Sequence, residues 1–120
     1  MNGHVDSDGH ALVRLRLLST VTATTLDVDA WIDTGFTGEL VLPQSRIAAL
    51  GLPQSAVVTA ELGDGSTTLL EVYSCLIEWF GRLHPIEVLA NTGTFPLLGV
   101  GLLQGHKLAI DYAAHTVTLE

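Results

Sequence analysis

From Leu26 to Asp33 the chain alternates strictly. Leu26, Val28, Ala30 and Ile32 fall on one side, and Asp27, Asp29, Trp31 and Asp33 on the other. A period of two is the mark of a half-buried strand. It aims Asp33 away from the main core, towards a cleft or solvent. A weaker alternation runs from His10 to Leu18. The turn signal Ser7-Asp8-Gly9 precedes it, and Met1 to Val5 is placed to pair across that turn. Glu39 to Pro43 reads as a short apolar strand. Gln44 to Leu50 reads as one or two helical turns, started by Pro43 or Gln44, with Ile47 and Leu50 inward and Gly51 as the stop. Val57 to Leu62 and Thr67 to Tyr73 flank Gly63-Asp64-Gly65-Ser66, which is hairpin chemistry. Leu76 to Phe80 and His84 to Ala90 flank Gly81-Arg82. Lys107 to Tyr112 and Thr116 to Glu120 flank Ala113-Ala114-His115. Between these hairpins, Phe95 to Leu103 reads as an apolar strand ending at Gly99, with a short helix after it. The pattern predicts an all-β sandwich or barrel with one or two short helices.

The 120 residues fit a single domain, 1–120. Hydrophobic residues make up 48% of the chain, and the mean hydropathy is +0.42. That is high for a small monomer, and a dimer interface would bury the excess. Net charge is −8, and the five Lys and Arg form no cluster. A nucleic-acid partner needs cations to displace phosphate counterions, so neither nucleic acid nor an anionic membrane surface is an expected partner. Met1 to His10 is polar and carries Asp6 and Asp8 where a signal peptide has basic residues. No apolar run approaches the ~20 residues of a membrane span, and a cytoplasmic location is expected. Cys75 is the single cysteine and sits in an apolar run, as a small buried hydrophobe does.

Candidate chemistry centres on Ala30-Trp31-Ile32-Asp33-Thr34-Gly35. The tripeptide Asp-Thr-Gly alone is ordinary turn chemistry. Three features add to it. The strand before it gives Asp33 a rigid support, and Gly35 permits a close backbone approach. The hairpin at Gly63-Asp64-Gly65 has a tip able to close over a substrate. Pro96-Leu97-Leu98-Gly99 ends a second apolar strand. The spacing of Gly99, Gly101 and Gly105 does not match a dinucleotide fingerprint. His4 and His10 flank Asp6 and Asp8 in a spacing that fits no zinc or calcium motif, and a solvated hairpin is expected there. His84, His106 and His115 stand beside turns and are expected at the surface. Trp31 is placed either to line the cleft or to pack, and Trp79 to lie in the core or an interface.

The order of these parts resembles the retropepsin-like aspartic peptidases, in their small single-lobe bacterial and archaeal form. The resemblance runs from about Val28 to Tyr112. It rests on Trp31 to Gly38, on Leu62 to Gly65, on Pro96 to Gly99 and on the closing Leu108-Ala109-Ile110-Asp111-Tyr112. It implies a closed acid-protease barrel in which Asp33 is the catalytic carboxylate. Thr34 would lock two active-site loops across a dimer. Gly35, Leu98 and Gly99 would support the loop. Gly63, Asp64 and Gly65 would form the flap over the substrate. The chain departs from the family at Phe36, where many members carry Ala, and at Glu39, where many carry Ser or Thr. Phe36 is therefore expected at the inner wall of the site.

One Asp-Thr-Gly occurs per chain, so a two-carboxylate site implies a homodimer. The terminal strands are expected to join its interface through open edges. Two close carboxylates share one proton. One acts as base on a water while the other polarises the scissile carbonyl of a peptide or protein substrate. No metal or cofactor is required. The alternative is a non-catalytic peptide-binding or assembly domain of the same fold.

Overall fold

The computed structural model describes Met1 to Glu120. Its strands are β1 (Asn2–Val5), β2 (Ala11–Leu18), β3 (Thr25–Ile32), β4 (Leu40–Pro43), β5 (Gln54–Glu61), β6 (Thr67–Trp79), β7 (Arg82–Asn91), β8 (Leu97–Leu98), β9 (Leu108–Asp111) and β10 (Thr116–Leu119). Two short helices interrupt them, α1 (Gln44–Leu50) and α2 (Val100–Leu103). The strands join one sheet in the order β5-β6-β7-β4-β8-β3-β2-β1-β10-β9. A further pairing of β2 with β6, Leu17 opposite Ile77 and Leu18 opposite Leu76, closes the middle of that sheet into a ring. The expected all-β architecture with two short helices is present.

Alternation builds the interior. Leu15 and Leu17 of β2 and Val28 and Ala30 of β3 are buried, while the Arg and Asp between them face out. On that outer face Arg16 Nε and Arg14 Nε reach Asp27 and Asp29 at 3.0 and 3.2 Å. The α1 helix turns Ile47 and Leu50 inward and ends at Gly51 in the left-handed conformation, φ 63°. These elements follow the sequence pattern closely.

Three expectations need correction. Thr67 to Tyr73 and Leu76 to Phe80 form one thirteen-residue strand. Nothing at Ser74-Cys75 breaks the backbone, so β6 pairs with β5 in its first half and β7 in its second. The turn between β6 and β7 is Phe80-Gly81, both at positive φ, with Trp79 opposite Arg82. That is the two-residue hairpin geometry whose twist matches the strands. Finally, the terminal strands offer no open edge. β1 lies between β2 and β10, and β10 between β1 and β9. The Met1 ammonium donates to the Leu119 carbonyl at 2.8 Å, and the Leu119 N–H donates to the Met1 carbonyl at 2.8 Å. The free edges of the sheet belong to β5 and β9. No helix is long and apolar enough to cross a membrane.

Candidate active site

The β3 strand ends at Ile32, and the next residue leaves the core: Ile32 is buried and Asp33 half-buried. β8 runs parallel to β3, with Trp31 beside Leu97 and Ile32 beside Leu98. The Trp31 N–H donates to the Pro96 carbonyl at 2.9 Å, and the Asp33 N–H donates to the Leu98 carbonyl at 2.9 Å. Leu98 is fully buried. The backbone carrying the carboxylate is thus held from below by a core residue.

The loop after Asp33 is tied from two directions. Gly35 N–H donates to Oδ1 of Asp33 at 2.9 Å, and Phe36 N–H donates to the Asp33 carbonyl at 3.2 Å. From the other side come three consecutive N–H groups at the start of α2. Gly99, Val100 and Gly101 donate to the carbonyls of Glu39, Phe36 and Gly38 at 2.9, 2.8 and 2.9 Å. The first N–H groups of any helix lack partners within it, and here the Asp33 loop supplies them. The approach is close enough that a Cβ on Gly99 would lie 2.2 Å from the Gly38 carbonyl oxygen. Leu98 and Gly99, Thr34 and Gly35 are therefore all gathered around Asp33. Thr34 is exposed. Phe36 is half-buried, with its ring against Gly38 and Gly99. Glu39 turns its carboxylate to β7, where Oε1 accepts the Glu87 N–H at 3.0 Å.

The β5–β6 hairpin carries the other glycine-rich candidate. At its tip Leu62 N–H donates to the Ser66 carbonyl at 2.7 Å and Gly65, φ 85°, donates to Leu62 at 2.9 Å. Asp64 Oδ1 accepts both the Ser66 hydroxyl, at 2.5 Å, and the Ser66 N–H, at 2.9 Å. The hydroxyl first, then the N–H, hold the Asp64 carboxyl below its ordinary value. The hairpin reaches the Asp33 loop near its base. Val58 and Val72 share a cavity of about 180 Å³ with Gly38, Glu39, Glu87 and Leu89.

Trp31 shares the outward face of β3 with Asp33 and is 36% exposed. The sequence did not reveal its neighbours. His10 lies 3.9 Å from it between ring centroids and Phe95 5.8 Å, forming an aromatic patch. The only signal was the place of Trp31 two residues before Asp33, because strand pairing, not spacing, brings His10 and Phe95 there. The 6–9 turn is exposed at Ser7, Asp8 and Gly9, yet Asp6 and His10 are half-buried. Asp6, Asp8 and His10 offer metal-ligand atoms within 4.8 Å of one another. Asp6 holds the turn itself, Oδ1 accepting the N–H groups of Asp8 and His10 at 3.0 and 2.8 Å. Those bonds, the His10 N–H foremost, lower its carboxyl.

His84 and His115 are exposed as expected, but His106 is not a free surface residue. It stacks on Phe80 with centroids 4.5 Å apart and accepts the Trp79 indole N–H at 3.2 Å. Trp79 is half-buried beside it. Cys75 is buried, and desolvation pushes its thiol up to about 11, which leaves it inert at neutral pH.

No family model matches the sequence, and no curated protein matches it. Solved structures do. The fold is similar to that of a retropepsin-like aspartic protease from Rickettsia conorii, with TM-score 0.67 and 16% identity, covering 99% of this chain and 88% of that one. It is similar to the EIAV protease in an inhibitor complex, with TM-score 0.56 and 18% identity over 82% of this chain and 89% of that one. It is also similar to the simian foamy virus (mac) protease, with TM-score 0.52 and 20% identity over 76% and 91%. A ring of strands, a carboxylate at the end of β3, and a loop zipped to the start of α2 thus stand on a retropepsin-like fold.

Proposed function

We propose that this chain is an aspartic endopeptidase that works as a homodimer. The observation carrying this reading is the setting of Asp33: a half-buried carboxylate, one oxygen held by the Gly35 N–H, at the head of a loop zipped to residues 98–101. With one Asp-Thr-Gly per chain, a dyad needs a second copy. Across the twofold axis two Asp33 side chains share a proton, because two adjacent carboxylates do not both ionise cheaply. The ionised member takes a proton from a water. The protonated member donates to the carbonyl oxygen as the water attacks, giving a tetrahedral gem-diol. Proton transfer to the departing amine then breaks the C–N bond. On this reading Thr34, which is exposed, meets its counterpart beside the dyad. The peptide lies extended between the loop and the β5–β6 hairpin, as an added strand.

The decisive comparison is cleavage of a mixed peptide library by the native protein and by Asp33→Asn. The expected outcome is cleavage by the native protein alone, with the variant down by roughly 10⁴-fold or more. Both should sediment as the same dimer. Equal cleavage by the two would remove Asp33 from the mechanism. A folded dimer that binds peptides and cleaves none would make the protein a peptide-binding domain.

A further inference from the structure

We propose that Phe36 is a positioning residue for Asp33, and that Gly38 is a glycine because position 36 is a phenylalanine. This rests on the peptidase reading and takes the residue out of the role of pocket wall.

The three glycines around the loop are crowded for different reasons. A Cβ on Gly99 would meet backbone, the Gly38 oxygen at 2.2 Å and the Phe36 oxygen at 2.8 Å, as well as Cδ2 of the Phe36 ring at 2.4 Å. A Cβ on Gly101 would also meet the Gly38 carbonyl, with its oxygen at 2.8 Å. The zipper itself therefore demands those two glycines. Gly38 differs. The three atoms closest to its Cβ position all belong to the Phe36 ring: Cζ at 2.4 Å, Cε1 at 2.8 Å and Cε2 at 3.3 Å. Only the ring excludes a side chain there.

The ring lies between Gly38, on the returning leg of the Asp33 loop, and Gly99, at the start of α2. The backbone of the same residue joins both sides, its N–H on the Asp33 carbonyl and its carbonyl on the Val100 N–H. Moving the ring therefore loosens the segment that sets where Asp33 stands. The large ring at position 36 is thus matched, two residues on, by the absence of a side chain at Gly38. A carboxylate pair is sensitive to such movement. A displacement of about 1 Å can cost on the order of a hundredfold in rate, and separating the two carboxylates weakens their proton sharing.

The experiment is a double-mutant cycle on the whole chain. It measures kcat, KM, the pH profile of kcat/KM and thermal unfolding for Phe36→Ala, Phe36→Leu, Gly38→Ala and the double variant Phe36→Ala/Gly38→Ala. We expect Gly38→Ala and Phe36→Ala each to lower kcat by about ten- to a hundredfold with KM nearly unchanged. The acid and alkaline limbs of the profile should move towards each other as the carboxylates uncouple. Phe36→Leu should keep most of the activity. The double variant should exceed Gly38→Ala in kcat, since the methyl then enters vacated space. A merely structural role would leave the pH limbs in place. Native kcat and pH profile in Gly38→Ala, or strictly additive effects in the double variant, would overturn the proposal. If the native protein cleaves nothing, the peptidase reading fails and the positioning role with it. The unfolding cycle then separately shows whether ring and glycine are coupled, and additive midpoints would refute that packing as well.

Discussion

The loop at Asp33 and the tip of the β5–β6 hairpin are both glycine-rich, and they use glycine for opposite ends. At the Asp33 loop glycine answers crowding. Gly99 and Gly101 have regular backbone with no room for a methyl group, because backbone from the neighbouring segment lies against them. At the hairpin tip glycine answers conformation. Gly63 and Gly65 have nothing within 4 Å of a Cβ position, and Gly65 stands at φ +85°. The first region is bound by its neighbours and sits on the fully buried Leu98. The second bonds only to itself, and β5 is exposed along nearly its whole length. On the peptidase reading, a site that holds one carboxylate still beneath a mobile hairpin needs both kinds of region, and the same residue type supplies each.

The largest expected effect lies in the crowded region. Leu98→Ala removes the fully buried side chain of the residue whose backbone carbonyl accepts the Asp33 N–H, and should cost about 2–5 kcal/mol. Gly99→Ala forces two backbone segments apart and should cost about 1–3 kcal/mol or more. Denaturant unfolding gives both numbers. On the peptidase reading, activity should in each case fall further than the folded fraction does, since the segment that moves is the one holding Asp33. A Gly99→Ala protein with native stability and native cleavage would show that the close approach is unimportant.

That crowding was only half legible in the sequence. Asp33, Thr34, Gly35, Leu98 and Gly99 could be picked out because alternation and an apolar run ending in glycine are local signals. The link between them, the Gly99, Val100 and Gly101 N–H groups on the loop carbonyls, joins residues some sixty positions apart and leaves no periodicity. The same limit hid the aromatic patch, since His10 reaches Trp31 only because Leu12 pairs with Trp31 in the sheet. It also hid the fate of the termini: β1 reads as a strand from its sequence, but that β10 covers its second edge is a matter of topology. The sequence pattern ends one strand at Tyr73 and starts another at Leu76, yet the backbone runs through Ser74-Cys75 as a single strand. At Gly51 and at Gly63-Asp64-Gly65, where the signal was a cap and a turn, the reading carried over directly, whereas the turn read at Gly81-Arg82 shifted by one residue.

A smaller effect is expected at the hairpin tip, from the same Gly→Ala chemistry. Gly65→Ala places a side chain at positive φ, a strain of about 1–2 kcal/mol. The tip packs on nothing, so the strain is released by opening the tip, and global stability should barely change. On the peptidase reading the loss appears in substrate capture: KM should rise several-fold while kcat changes little. Gly63→Ala, with open space and no positive φ, should be silent. Should Gly65→Ala lower the unfolding midpoint as far as Gly99→Ala does, the two regions would not differ in the way described.

The smallest effect concerns Asp64, which on the peptidase reading tests whether the tip keeps its shape at the pH where cleavage is assayed. Its carboxyl is held below the ordinary value, first by the Ser66 hydroxyl and then by the Ser66 N–H. With the folded pKa lowered, the bonds favour the ordered tip at every pH above the ordinary carboxylate value of about 3.9. They are lost as pH falls through the lower, folded value. From mildly acidic to neutral pH the tip therefore stays constant, and a change of activity across that range would have to arise elsewhere than at the tip. The Ser66 amide resonance should follow a single titration with its midpoint below the ordinary value, and Asp64→Ala should abolish it. The same substitution should raise KM modestly by an amount that does not vary between mildly acidic and neutral pH. A Ser66 amide that titrates at or above the ordinary value would mean that the carboxylate does not hold the tip. The hairpin tip would then gain a pH dependence of its own, set by a group other than Asp64.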